Sequence, residues 1–270
     1  MARSESTVLF PIPGTTFDDR KIKLYLADVV SACTSAFLVA PFIKIVDQTV
    51  TQKAAFNRVN IFHTAFSNFK TFILSPVKFM SHPTFLAVCI VYGGTYSAAN
   101  TILTYCELNQ QDSFYPKLAG TTAVNMALGI TKDRYFAQVY SKKKAPKLPL
   151  ASWGLFFARD ILTIGAAFNF PSMAADYLVQ SKAVTEPHLA ESICQITVPV
   201  FAQMCLTPVH LLALDFYNRT KVTWLSRATQ LKNIYFESTA MRMIRVMGAY
   251  GIAGVSNSHI RKSLRERVLK

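Results

Sequence analysis

Arg159 and Asp160 stand side by side, and Arg242 and Arg245 lie three residues apart, each set inside an otherwise apolar stretch. Ionisable residues in apolar stretches of membrane-spanning length usually face a bundle interior or a watery cavity, and they mark functional sites by default. The planar guanidinium fork of arginine suits two-point binding of a carboxylate. An acidic neighbour suits an ammonium group. Equally, Arg159 and Asp160 could serve only to neutralise each other. Nothing in the chain points to catalysis: there is no glycine-rich phosphate loop, no metal-ligand spacing and no nucleophile–base set. The chain is therefore expected to be no enzyme and to need no cofactor. Cys33, Cys89, Cys106, Cys194 and Cys205 are odd in number, form no C-x-x-C pair and sit in apolar runs. They read as small buried hydrophobes. His63, His82, His188, His210 and His259 are scattered and offer no metal site.

Six apolar segments could position these charges: 24–43, 85–105, 118–137, 150–171, 189–214 and 239–257. Each approaches the roughly 20 residues needed to cross a bilayer core as a helix. Each also carries a polar minority, including Asp28, Asn125, Gln195 and Gln203. Only 16% of the 270 residues are charged and 51% are hydrophobic, with a mean hydropathy of +0.25. A soluble domain has about 25% charged residues. The fold class expected is an all-α membrane protein, one membrane domain over 1–270 with six transmembrane helices. The net charge of +14 accompanies no nucleic-acid motif, which excludes that partner class. Basic residues crowd the connections after segments one, three and five, whereas those after segments two and four hold only Lys117 and Lys182. This asymmetry follows the positive-inside rule. The basic tail from Arg261 runs against it. The N-terminus reads neither as a secretory signal nor as a cleaved transit peptide, because Glu5, Asp18 and Asp19 interrupt it. Between Thr51 and Pro83, Phe62, Phe66, Phe69 and Ile73 recur at helical spacing beside Lys70 and Lys78. That predicts an amphipathic helix on the inner membrane surface.

The six segments fall into three pairs, bounded at about 24–112, 113–185 and 186–270. First members contain Pro41–Asp47, Gly129–Arg134 and Pro208–Ala213; second members contain Tyr96–Asn100, Arg159–Thr163 and Arg242–Gly248. Internal repetition of this kind sets the reading of the whole chain. Three pairs, each an odd helix, an inner loop and an even helix, resemble the mitochondrial carrier family. In that family the odd helices carry P-x-[DE]-x-x-[KR]. Pro41 and Pro208 match the proline and Gly129 replaces the third; the acidic positions hold Ile43, Thr131 and His210, and the basic ones Val46, Arg134 and Ala213. Only Arg134 keeps its charge. The resemblance places Arg159 and Asp160 at mid-cavity on the fourth helix and Arg245, with Arg242, on the sixth. Gly93 takes the corresponding position on the second.

The resemblance implies a multi-pass protein of the mitochondrial inner membrane, with the outer membrane as the lesser choice. It leaves two readings. With both rings of gate charges degraded, the protein would be a non-transporting structural or accessory component of a larger mitochondrial membrane complex. Its partners would then be membrane lipids such as cardiolipin and other proteins. Alternatively it would be a divergent solute carrier working by alternating access. Arg159 would hold a carboxylate, Asp160 an ammonium group and Arg245 a second anionic group. Pro41, Gly129, Arg134, Pro208 and His210 would be the kink and gate positions.

Overall fold

The computed structural model describes residues 17–55, 61–141, 150–218 and 222–269. Among them there are helices and short turns and no strand. The order is α1 (Phe17–Ala55), α2 (Ile61–Leu74), α3 (Pro76–Met80), α4 (Pro83–Leu108), α5 (Phe114–Ser141), α6 (Leu150–Phe168), α7 (Phe170–Gln180), α8 (Pro187–Asn218) and α9 (Trp224–Val246). A π turn (Met247–Ile252) then runs directly into α10 (Ala253–Leu269). Four helical stretches are long and apolar enough to cross a membrane: Asp19–Gln52, Pro83–Leu108, Leu150–Phe168 and Pro187–Phe216. The other two sequence segments, on α5 and on the α9–α10 rod, are helical but do not meet that composition. The segment 150–171 breaks at Asn169, where α7 begins anew with Pro171 in its first turn. The lysine-rich connection after the third segment, 142–149, lies outside the described residues, as do Arg58, Arg219 and Lys221.

Neighbouring helices form a closed ring. α1 packs on α4, α4 on α5, α5 on α6, α6 and α7 on α8, α8 on α9, and α10 returns to α1. Small residues permit the close approaches, as membrane bundles require. Ala32, Ala36 and Ala40 of α1 are buried, and Gly251 of the π turn lies so near the Ile196 backbone that an added Cβ would stand 3.3 Å from its Cα. Two carbonyls of the π turn accept side-chain donors from neighbouring helices. Tyr96 Oη donates to Ala249 O at 3.0 Å, and Gln195 Nε2 donates to Tyr250 O at 3.0 Å.

The predicted amphipathic helix is present as α2. It is attached to α1 through polar atoms: Asn68 Nδ2 donates to Thr49 Oγ1 at 3.1 Å, and Gln48 Nε2 donates to Asn68 Oδ1 at 3.0 Å. α3 is tied down by Lys44 of α1, whose Nζ donates to Phe79 O at 2.6 Å and sits over the Phe79 ring. His82 caps α4 by accepting from Thr84 N at 3.3 Å. Burial first, and then the nearby Lys44 ammonium, lower the affinity of that imidazole for a proton, which suits an accepting nitrogen.

At the less basic end of the ring, α1, α4 and α10 share a buried polar cluster. Arg261 Nε donates to Asp28 Oδ1 at 2.7 Å, and its Nη2 donates to Thr104 Oγ1 at 2.9 Å. Thr104 in turn donates to Asp28, while Asn100 and Asn257 exchange a pair of amide bonds at 3.0 and 3.1 Å. Asp28 is wholly buried. This cluster, with an Arg265–Glu107 pair, accounts for two cations of the basic tail that ran against the loop-charge rule, Arg261 and Arg265. Those cations are spent on carboxylates inside and beside the bundle.

Candidate functional site

A cavity of about 110 Å³ lies within the ring, lined from α4, α5, α6, α9 and the π turn. All four charged residues singled out in sequence reach it: Arg159, Asp160, Arg242 and Arg245. So do Tyr92, Asn125, Lys132, Asp133, Thr163 and Tyr250. Lining groups run along α5 from Asn125 to Asp133, about 12 Å at 1.5 Å per residue.

At one end the cavity is stopped by aromatic rings. Tyr92 and Tyr250 meet edge to face with centroids 5.8 Å apart, and Phe168 packs on both Tyr96 and Tyr250. Tyr250 Oη donates to Asn125 Oδ1 at 3.0 Å. At the other end is a layer of charge. Asp47 of α1 pairs with Lys132 of α5 and also receives Arg245 Nε at 3.0 Å. Lys132 touches Asp133 at 3.0 Å. Asp133 is 68% accessible to water, so this layer is hydrated. Ion pairs suit a closure that must open, because the attraction and the desolvation cost largely cancel.

Between these ends sit three arginines. Arg159 Nη2 pairs with Asp160 Oδ1 at 2.7 Å, and its Nη1 contacts His210 Nδ1 at 3.0 Å. Arg245 is committed to Asp47 and lies 3.4 Å from Tyr92 Oη. Arg242 is different. Among the described residues it has no carboxylate partner; its Nη2 donates to the neutral Gln203 Oε1 at 2.7 Å. The Nε atoms of both Arg159 and Arg242 are buried and lack any acceptor. Buried donors without partners are costly, and here both belong to groups at the cavity wall. Among the described residues, four cations line the cavity against Asp133 and Asp160, with Asp47 behind, a balance of one positive charge.

The proposed gate positions divide. Gly129 lines the cavity, and His210 backs Arg159 from α8. Pro41 and Pro208 lie inside α1 and α8 away from the lining. Arg134 is on α5, but its side chain lies outside the described residues. Ile43, Val46 and Ala213 are buried, as an apolar closure requires. A closure stripped of charge is corrected, however, by Asp47 and Lys132, which carry charge at that level from positions beside the motif.

The architecture is thus a multi-pass helical bundle with a charged cavity bounded by aromatic rings toward one end and by ion pairs toward the other. The chain belongs to a family described as the probable citrulline exporter family, whose model matches residues 31–265. No curated protein and no solved structure matches it. This match overturns the resemblance to the mitochondrial carriers. Five of the six gate charges that define that motif are absent, so the likeness rested on helix pairing and on common residues such as proline and arginine. Two implications fall with it. The chain is no non-transporting accessory component, since the family is one of exporters, and placement in the mitochondrial inner membrane has no support beyond that resemblance. What stands is a multi-pass membrane protein of a transporter family.

Proposed function

We propose that the protein exports citrulline, or a closely similar neutral amino acid, through the central cavity. The observation that carries this reading is Arg242, a partly buried guanidinium at the cavity wall that forms no ion pair with a carboxylate among the described residues. The α-carboxylate of an amino acid supplies that balance, with Arg159 Nε as a second donor. Asp160 receives the ammonium group once Arg159 turns toward the carboxylate. Asn125 and Thr163 are the neutral groups left to meet a ureido side chain. Arg245 stays in the charged closure with Asp47 and Lys132.

The cavity is well below the roughly 300–1,000 Å³ of ordinary ligand pockets. Transport in this reading therefore includes a widening, driven by cargo binding more tightly to the open arrangement. The reading takes α5 and the α9–α10 rod as two further crossings, for six in three pairs near 24–112, 113–185 and 186–270. Support comes from their places in the closed ring and from their charges facing the cavity.

The surplus positive charge makes a selectivity prediction. Citrulline carries a neutral ureido group where arginine and ornithine carry a cation. In proteoliposomes containing the purified protein, labelled citrulline should move saturably. Unlabelled arginine or ornithine should compete about tenfold less well than citrulline, a difference of about 1.4 kcal/mol. Citrulline flux no greater than in protein-free vesicles, or equal competition by arginine, would sink the reading.

A further inference from the structure

The connection between α1 and α4 joins the same-side ends of two membrane-length stretches, Asp19–Gln52 and Pro83–Leu108. α2 and α3 therefore sit at the level where the chain leaves the bilayer. α2 is turned partly inside out. The side facing the bundle is anchored by Asn68, which is buried and bonded to Gln48 and Thr49. The side facing away presents Phe66 (68% exposed), Phe69, Ile73 and Leu74 (69% exposed), continued by Val77 of α3 (77% exposed). An apolar patch of this extent on a free surface marks an interaction site. Lys70 and Lys78 are exposed beside it, and no acidic residue occurs between Ile61 and His82. The complementary surface must be apolar within and negative at its rim.

We propose that α2 and α3 dock onto an anionic bilayer surface, with Phe66, Phe69 and Ile73 in the acyl–headgroup boundary and Lys70 and Lys78 on lipid phosphates. An amphipathic helix gains affinity from apolar burial and from anionic lipid together. The lysine stems lie along the apolar face while their ammonium groups reach the headgroups. The bonds through Asn68 set this seat beside Asp47, so the lipid-facing helix is fastened to the α1 segment that carries the charged closure.

The test uses the full chain in vesicles of phosphatidylcholine with and without phosphatidylglycerol. A nitroxide is attached at Phe66→Cys, with the exposed native thiols Cys33 and Cys205 changed to serine. A control label sits at Asp112→Cys in an exposed turn. Dissolved oxygen should relax the label at 66 strongly and a water-soluble nickel chelate should not, whereas the control shows the reverse. In the mixed vesicles, Lys70→Gln with Lys78→Gln should raise nickel access at 66 by about fivefold per charge, the equivalent of about 1 kcal/mol per lysine near an anionic surface. In phosphatidylcholine alone the pair should change nothing. Both substitutions are on an exposed face, and circular dichroism checks that the variant is folded. Nickel access at 66 equal to the control overturns docking. So does shielding from both agents, which would place a protein or a second copy of this chain on the patch. Depth that ignores the lysines and lipid charge overturns the anionic partner.

Discussion

Arg242→Gln should lower citrulline transport by about ten- to a hundredfold, the loss of one charge-assisted contact worth about 1.5–3 kcal/mol. Thermal melting in detergent should not fall. The reasoning lies in what the substitution leaves behind. Arg242 contacts Gln203 and has an unsatisfied Nε, so removing it strands no carboxylate and relieves a buried charge. Arg159 and Arg245 behave differently, since each is bonded to an acid that would be left unpaired. Arg242→Lys keeps the charge but loses the fork, and should recover only part of the rate. Initial rates in proteoliposomes, read beside melting curves of the same preparations, check both points. Full transport with a lowered melting temperature would assign Arg242 to structure alone.

Asp28→Ala should be the most destabilising single change in the bundle, by about 3–5 kcal/mol, because it leaves the Arg261 guanidinium without its counter-charge in a buried setting. Thr104 would lose its carboxylate partner in the same step. Changing both ends of the pair, Asp28→Leu with Arg261→Met, should restore much of the loss, since apolar replacement of a buried ion pair is often close to neutral. Equilibrium unfolding in mixed detergent measures the difference. Equal instability of the single and double variants would show that the neutral members of the cluster, and not the charge pair, hold α1, α4 and α10 together.

The helices were legible in the chain because long apolar runs allow little else. The central arginines were legible because charge in such runs has nowhere to go but inward. The amphipathic α2 showed its period in its phenylalanines. Long-range pairing was not legible. Asp47 meets Lys132 across 85 positions and Asp28 meets Arg261 across 233, and no local period links them. The register of the carrier motif on α1 points to Ile43 and Val46, whereas the acid that pairs with Lys132 and Arg245 is Asp47, one residue on. The carrier register points to Gly93 and not to its neighbour Tyr92, because a tyrosine in an apolar helix looks like packing until Tyr250 and Arg245 stand beside it. Arg261 reads as a surplus tail charge because its partner lies at the far end of the sequence.

Part of this illegibility comes from the π turn at Met247–Ile252. On an unbroken α-helix each residue advances the rotation by about 100°. The twelve steps from Arg245 to Asn257 would then leave these side chains about 120° apart. A π turn takes up one extra residue without a matching rotation, which reduces the angle to about 20°. Arg245 and Asn257 consequently face inward together, one at the cavity and one at the Asp28 cluster. The turn acts as a phase shifter between two functional ends of one rod. Deleting a single residue there would keep the rod helical and leave Arg242 and Arg245 in place. It would also keep Arg261 facing Asp28, because the residue lost is the one taken up without rotation; the full sequence wound as an unbroken α-helix would instead swing Arg261 about 100° away and part the charge pair.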